Sequence, residues 1–306
     1  MTATLAAGLP PPPLLAVLAR ALRATKVWLP GPEEAWDADW RSRLPRGLEP
    51  CALPEDGMPP TGVSLAMLPE GVDAALAIAA GVALFLLPTG PMPPATPLLA
   101  PLRLAGGGLW MAGSCRAGLS AAATKGLARL ADQERAKASL DLLPPEVGAL
   151  VHVLAAARVS RRALELGAGA GASSLWLASA LVATGGSLIA IEKDSARVNL
   201  AQRALRAADL AARVDLRIGE VERLAPKLGR GIDLLLMDEG LEDRAERLDL
   251  LLNLGVLAQG AIIVAHGGRQ DPGRDAAFQA RLQLEPRIAV RLRLNMGAGV
   301  TLGVVA

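Results

Sequence analysis

The chain has 306 residues, 52% of them apolar, and carries 32 Lys+Arg against 30 Asp+Glu for a net charge of +2. That length suits one large domain or two ordinary ones, and the apolar half can bury a sizeable core. The charge excess is too small for a nucleic-acid surface. Neither part is a basic module either, with 8 basic and 9 acidic residues in 1–118 and 24 and 21 beyond.

Residues 1–13 lack the basic start of a secretory leader; they end in four prolines and are expected to form an unstructured tail. Leu14 to Lys26 has the spacing of a short amphipathic helix. Pro30 to Pro60 is rich in proline, charge and tryptophan, which predicts irregular structure with a short helix. Apolar runs of strand length follow at Val63–Leu68, Ala74–Ala79, Val82–Leu87 and Gly108–Ala112. Ala74 to Leu102 carries no charge, but its apolar run stops at Pro88 after about 15 residues, short of the roughly 20 a membrane span needs. A buried strand pair or core helix is expected there, and no membrane contact. The two cysteines, Cys51 and Cys115, make no disulfide framework and fit a reducing cytoplasm.

Two stretches in this first part parallel two in the second. Val72 to Ile78 and Leu98 to Gly113 match the pattern of Ile232 to Asp238 and Leu251 to His266: a strand, then a helix, a glycine turn and a strand. Residues 1–118 are then either a worn copy of the second part, without a glycine loop and so without a cofactor, or an unrelated accessory α/β segment. Residues 119–142 read as a helical linker of alternating charge, and Glu146 to Val159 as the first core helix of a domain spanning 143–306. His152, in that apolar helix, is expected to be structural.

The segment Arg162-Ala-Leu-Glu165-Leu-Gly167-Ala-Gly169-Ala-Gly171-Ala-Ser173 is an apolar strand ending in an acid, three alternate glycines and a helix start. Glycine lets backbone approach a ligand because it lacks a Cβ and tolerates positive φ, and the helix behind aims free N–H groups at it. Further strands are expected at Ser187–Glu192, Arg213–Gly219 followed by Glu220, Gly231–Asp238 and Ala261–His266, alternating with amphipathic helices. A hairpin, Arg287–Leu294 and Val300–Val305, closes the sequence. Acids at strand ends of an open parallel sheet lie where ligands bind. The loop also fits a dinucleotide fingerprint, so a nicotinamide or flavin is the competing cofactor.

With these residues in view, 140–306 resembles the class I S-adenosylmethionine-dependent methyltransferases, and within them the catechol and caffeoyl-coenzyme A O-methyltransferase group. The lead-in Leu143-Pro-Pro-Glu-Val-Gly148 is similar to the segment before that group's glycine loop. The resemblance implies an α/β, Rossmann-like domain with a seven-stranded sheet and a terminal antiparallel hairpin, preceded by a smaller α/β accessory region. It implies S-adenosylmethionine on Gly167, Gly169 and Gly171, with Glu165 near the ligand's ammonium group, Ser173 at its carboxylate and Glu192 on the ribose hydroxyls. Glu220 falls near the adenine, where the family usually has Asp, and Asp238 completes the cofactor set. Asp194 is the alternative helix cap beside Glu192.

The reaction site departs from the group. Its metal-dependent members hold a magnesium ion with two aspartates and an asparagine and use a lysine as base. Asp238 keeps the first ligand position, the lysine position is Leu241, and the Asp-Asn pair is replaced by His266-Gly267. No divalent metal is therefore expected. Three readings stay open: a metal-independent enzyme with His266 as general base and Asp238 beside it; a softer metal on Asp238 and His266 with Glu239; or a non-catalytic cofactor-binding or assembly protein. The expected chemistry is O-methylation of a small molecule. The chain lacks the Asn/Asp-Pro-Pro-aromatic motif of amino-group methylation on bases or glutamine, and no nucleic-acid partner is expected. It has no tyrosine and two phenylalanines, so few rings can stack on an acceptor; Trp28, Trp36, Trp40 and Trp110 are candidates for a lid, and Trp176 for the core. A homodimer is compatible by fold-level analogy.

Overall fold

The computed structural model describes residues 15, 18–20, 23–29, 38–42, 44, 46–54, 65–67, 84–88, 102–103, 109–113, 119–136, 140–238, 243–267, 271–294 and 297–306. The first part comprises β1 (Lys26–Leu29), α1 (Ala38–Ser42), β2 (Glu49–Ala52), β3 (Leu65–Met67), β4 (Leu84–Pro88), β5 (Leu102–Arg103) and β6 (Leu109–Gly113). Residues 15 and 18–20 are helical. The second part runs α2 (Ala121–Ala136), α3 (Pro145–Ala157), β7 (Arg162–Leu166), α4 (Ala172–Thr184), β8 (Ser187–Glu192), α5 (Ser195–Ala207) and β9 (Val214–Ile218). It continues through α6 (Val221–Leu224), β10 (Ile232–Met237), α7 (Arg244–Asn253), β11 (Leu257–His266), α8 (Pro272–Leu284), β12 (Ile288–Leu294) and β13 (Val300–Val305).

Two expectations for the first part are corrected. Lys26 opens a strand and does not end the helix, and Glu49–Ala52 is a strand inside the stretch expected to be irregular. Both are four-residue strands, too short to show a period, and one contains Pro50. They exist because β1 pairs β2 along its whole length. The run Ala74–Ala79 lies outside the described residues.

The second sheet has the order β12-β13-β11-β10-β7-β8-β9. Its β11, β10, β7, β8 and β9 are parallel, and β13 runs antiparallel to both β11 and β12. This is the expected seven-stranded sheet with its hairpin. The parallel strands are apolar on both faces because helices cover both: Ala163, Leu234, Ile262 and Val264 enter one core, and Leu164, Leu166, Leu235 and Ile263 the other. Asp233 ties the start of β10 to the turn before β7 by accepting the Arg161 N–H at 2.8 Å and the Ser160 hydroxyl.

The first sheet has the order β2-β1-β3-β4-β6-β5. The pairs among β2, β1, β3 and β4 are parallel, and β6 is antiparallel to β4 and β5. In order and in the sense of every pair this repeats the second sheet without its β9 edge. The match also corrects the segment pairing expected from sequence. Leu109–Gly113, an antiparallel strand, occupies the place of Val300–Val305 and not that of Ala261–His266. The place of Ile232–Met237 is taken by Leu65–Met67, while Val72 to Ile78 lies outside the described residues.

Helix α3 joins the two parts. Proline at its first turn and Glu146 suit a helix start. It is buried around its whole circumference, as an apolar helix between two layers must be. One continuous core contains Leu150, Val151 and Leu154 of α3, Val27, Leu29, Leu65 and Met67 of the first sheet, and Leu234, Val264 and Leu302 of the second. His152 is structural: its Nδ1 lies 2.9 Å from the Trp176 carbonyl on α4. Trp176 in turn fits over Gly148, where a Cβ would come within 2.3 Å of the indole. The linker helix α2 packs Ala123 and Leu130 against Leu175 and Leu205. No helix among the described residues is long and apolar enough to cross a membrane.

Candidate active site

The order of the second sheet reverses between β7 and β10, and a crevice opens there at the carboxyl ends of the strands, as the topology requires. It is a cavity of about 620 Å³ whose walls include Gly167, Gly169, Glu192, Glu220, Asp238 and His266.

The loop from β7 to α4 turns on three glycines with φ of 86°, 52° and 95° at 167, 169 and 171. They do different work. A Cβ on Gly169 would meet nothing within 4 Å, so this residue faces the open crevice. A Cβ on Gly171 would lie 2.8 Å from the Ala201 Cα, so this residue lets α5 pass close behind the loop. The Gly169 N–H donates to Glu192 Oε2 at 2.8 Å, and the Asp194 N–H to Glu192 Oε1 at 2.9 Å. Asp194 is the cap of α5, accepting from the Ala196 and Arg197 N–H groups. Glu192 is thus free of helix capping and holds the glycine loop from the neighbouring strand; each of its oxygens retains a lone pair for a ligand.

Glu165, Gly171 and Ser173 sit behind the cavity wall. Glu165 is fully buried; Oε2 accepts the Ser174 hydroxyl at 2.5 Å, and Oε1 has no hydrogen-bond partner in the protein. Burial pushes its carboxyl up to about 7, against the pull of the nearby Ser173 and Ser174 hydroxyls and with a further push from Asp238 and Glu192. Ser174 carries no motif signal and was not a candidate from sequence. Glu220 precedes α6 at the crevice rim, with Oε2 3.8 Å from Arg247.

Asp238 and His266 end neighbouring strands, β10 and β11, and meet. Asp238 Oδ1 lies 2.8 Å from His266 Nδ1, and the Ala298 N–H donates to Nε2 at 3.3 Å. Nδ1 faces the carboxylate and Nε2 a backbone donor, the arrangement that suits an imidazole carrying its proton on Nδ1. The Ala298 donor comes from the β12–β13 turn, where Gly297 (φ +48°) is pressed between the ring and α3: a Cβ there would lie 3.0 Å from Nε2 and 3.1 Å from Pro144 Cγ. Burial pushes the Asp238 carboxyl up, with a smaller push from Asp141, while the His266 hydrogen bond and the Arg244 charge pull it down. Arg244 itself, 2% exposed, donates from Nη2 to the His266 carbonyl at 2.6 Å. Neither Arg244 nor Ala298 was a candidate from sequence, since each meets His266 only through the fold.

Glu239 and Leu241 lie outside the described residues, and among these no group of three or more His, Cys, Asp or Glu is placed to share a metal ion. Of the tryptophans that were candidates for a lid, Trp28 sits on β1 in the first sheet and not on the cavity wall, and Trp36 lies outside the described residues.

Residues 164–267 match the family model described as a methyltransferase domain. A catechol O-methyltransferase of Niastella koreensis is 30% identical over 166 residues, 53% of this chain and 72% of that protein. The O-methyltransferase TomG of Streptomyces achromogenes, solved in complex with SAM, is 26% identical, with a TM-score of 0.52 over 61% of this chain and 90% of its own. An SAH-bound methyltransferase of Podospora anserina shares the fold at 21% identity, with a TM-score of 0.55 over 61% and 88% of the two chains. The glycine loop, the strand-end acids, the sheet order and these likenesses agree, and the chain belongs to the S-adenosylmethionine-dependent O-methyltransferase family.

Proposed function

We propose that the enzyme methylates a hydroxyl oxygen of a small molecule without a magnesium ion, with His266 as general base and Asp238 as the group that orients it. The observation that carries this is the 2.8 Å contact between Asp238 and His266 Nδ1 at the crevice.

The residues present fit the cofactor. Gly169 leaves its Cβ space open to the crevice, and Glu192 has lone pairs for the two ribose hydroxyls. The unpartnered Glu165 Oε1 is an acceptor suited to an ammonium group, with Ser173 beside it. Glu220 stands at the adenine end, and Gly167 and Gly171 shape the loop. They do not fit magnesium, which favours oxygen ligands and water. The family's Asp-Asn pair is His266-Gly267 here, and Asp238 already accepts from the imidazole.

S-adenosylmethionine, held by Gly167, Gly169, Gly171, Glu165 and Glu192, would give its electrophilic sulfonium methyl group to the acceptor oxygen and leave as the neutral thioether. His266 takes the acceptor's hydroxyl proton at Nε2 once the Ala298 N–H gives way to it. The proton on the imidazole then passes to solvent, and Asp238 stabilises the imidazolium meanwhile. The crevice contributes by holding donor and acceptor in line.

The first sheet fits a degenerate copy of the methyltransferase sheet better than an unrelated segment, on its matching strand order. It carries no counterpart of the glycine loop, so one cofactor per chain is the corollary. A cytoplasmic enzyme with no nucleic-acid or membrane partner agrees with the charge balance and the two cysteines. Catechol, the substrate named for one relative, is the acceptor probe of choice. Methyl transfer to catechol in the presence of a chelator, lost in His266→Ala with cofactor binding kept, is the expected result; full transfer by His266→Ala overturns the base assignment.

A further inference from the structure

We propose that Arg244 is a positioning residue for the His266–Asp238 pair, fixing the imidazole in the tautomer that leaves Nε2 free to accept a proton. The proposal rests on the base reading above and deepens it. A guanidinium taken out of water is costly unless it is held by good partners, and Arg244 is among the largest fully buried side chains described. One of its contacts reaches the reacting pair directly. Nη2 donates to the His266 carbonyl at 2.6 Å, and Cζ stands 5.6 Å from the centre of the Phe278 ring, over which the group lies. Phe278 belongs to α8, Arg244 to α7 and His266 to the end of β11, so Arg244 links α8 to the strand end that carries the base.

The contacts have a chemical consequence. Asp238 can accept the Nδ1 proton only as a carboxylate; burial works against that state, while the His266 hydrogen bond and after it the Arg244 charge favour it. Were the carboxyl protonated, it would donate to Nδ1 and drive the ring's own proton to Nε2, where a base must be bare. The same guanidinium also ties down the His266 backbone, which sets the ring's angle to Asp238. A residue that merely filled space between α7 and β11 would affect stability and leave the tautomer alone.

The chain has two histidines, so nitrogen-15 NMR of the labelled full-length protein reads this directly, with His266→Gln assigning the signal. The wild type is expected to show His266 protonated on Nδ1 alone. Folded Arg244→Met should lose that single state and give a mixture of tautomers, and Arg244→Lys, which keeps the charge, should restore most of it. Should Arg244→Met fail to fold, Phe278→Leu takes its place, with a mixture again expected. A wild-type signature in the folded Met variant, or in Phe278→Leu where that is used, overturns the proposal. Methyl transfer to catechol by His266→Ala is measured separately: its persistence would refute the base reading, while the tautomer result judges Arg244 by itself.

Discussion

The Asp238 carboxylate and the His266 imidazole end adjacent parallel strands and touch at 2.8 Å, with the second ring nitrogen covered by the Ala298 N–H. The imidazole is therefore gripped at both nitrogens before any acceptor arrives. Asp238→Asn puts an amide where the carboxylate was, and that amide can donate to Nδ1 and stabilise the wrong tautomer. Turnover with catechol should fall by about 10²–10⁴-fold, as in His266→Ala.

Glu165 couples the cofactor site to pH. Its carboxyl sits at about 7 against 4.5 when unperturbed, chiefly through burial. Between those values the unfolded chain releases this proton and the folded chain keeps it, so the group's contribution to stability declines as pH rises through that window and is flat above it. An ammonium ligand needs the ionised form, so affinity for S-adenosylmethionine should rise with pH up to about 7 and then level off. Glu165→Gln should melt higher than the wild type above that pH, bind the cofactor more weakly, and lose this pH dependence. Melting curves and calorimetric titrations across pH check all three.

The glycines of the loop separate by their neighbours. Gly169→Ala pushes a methyl group into the open crevice and should weaken cofactor binding; its φ of +52° adds only the left-handed backbone cost of about 1 kcal/mol, with no overlap. Gly171→Ala meets the Ala201 Cα at 2.8 Å with φ at +95°. It should cost about 1–3 kcal/mol of stability by strain and overlap, seen as a lowered melting temperature. Equal stability losses in the two variants would contradict this division.

Magnesium should be dispensable. A chelator should leave methyl transfer to catechol unchanged, and added magnesium should not stimulate it. The same titrations should saturate at one S-adenosylmethionine per chain, since the first sheet has strand order in common with the second but no glycine loop.

The cofactor half was legible in the sequence because its signals are local. Alternate glycines after an acid-ended strand, apolar runs alternating with amphipathic ones and a closing hairpin each sit within a few residues, and together they carried the family resemblance that implied the cofactor, the seven-stranded sheet and the candidate pair Asp238 and His266. Tertiary structure alone decided the rest. The short strands β1 and β2 draw their order from pairing with each other. The place of Leu109–Gly113 in the first sheet follows from its direction, which a periodic pattern does not carry. Arg244 and Ala298 reach His266 across 22 and 32 residues of chain, through a buried hydrogen bond and a turn pressed against α3. Contacts between such distant residues come from how the helices and the hairpin close over the sheet, and no spacing in the sequence records them.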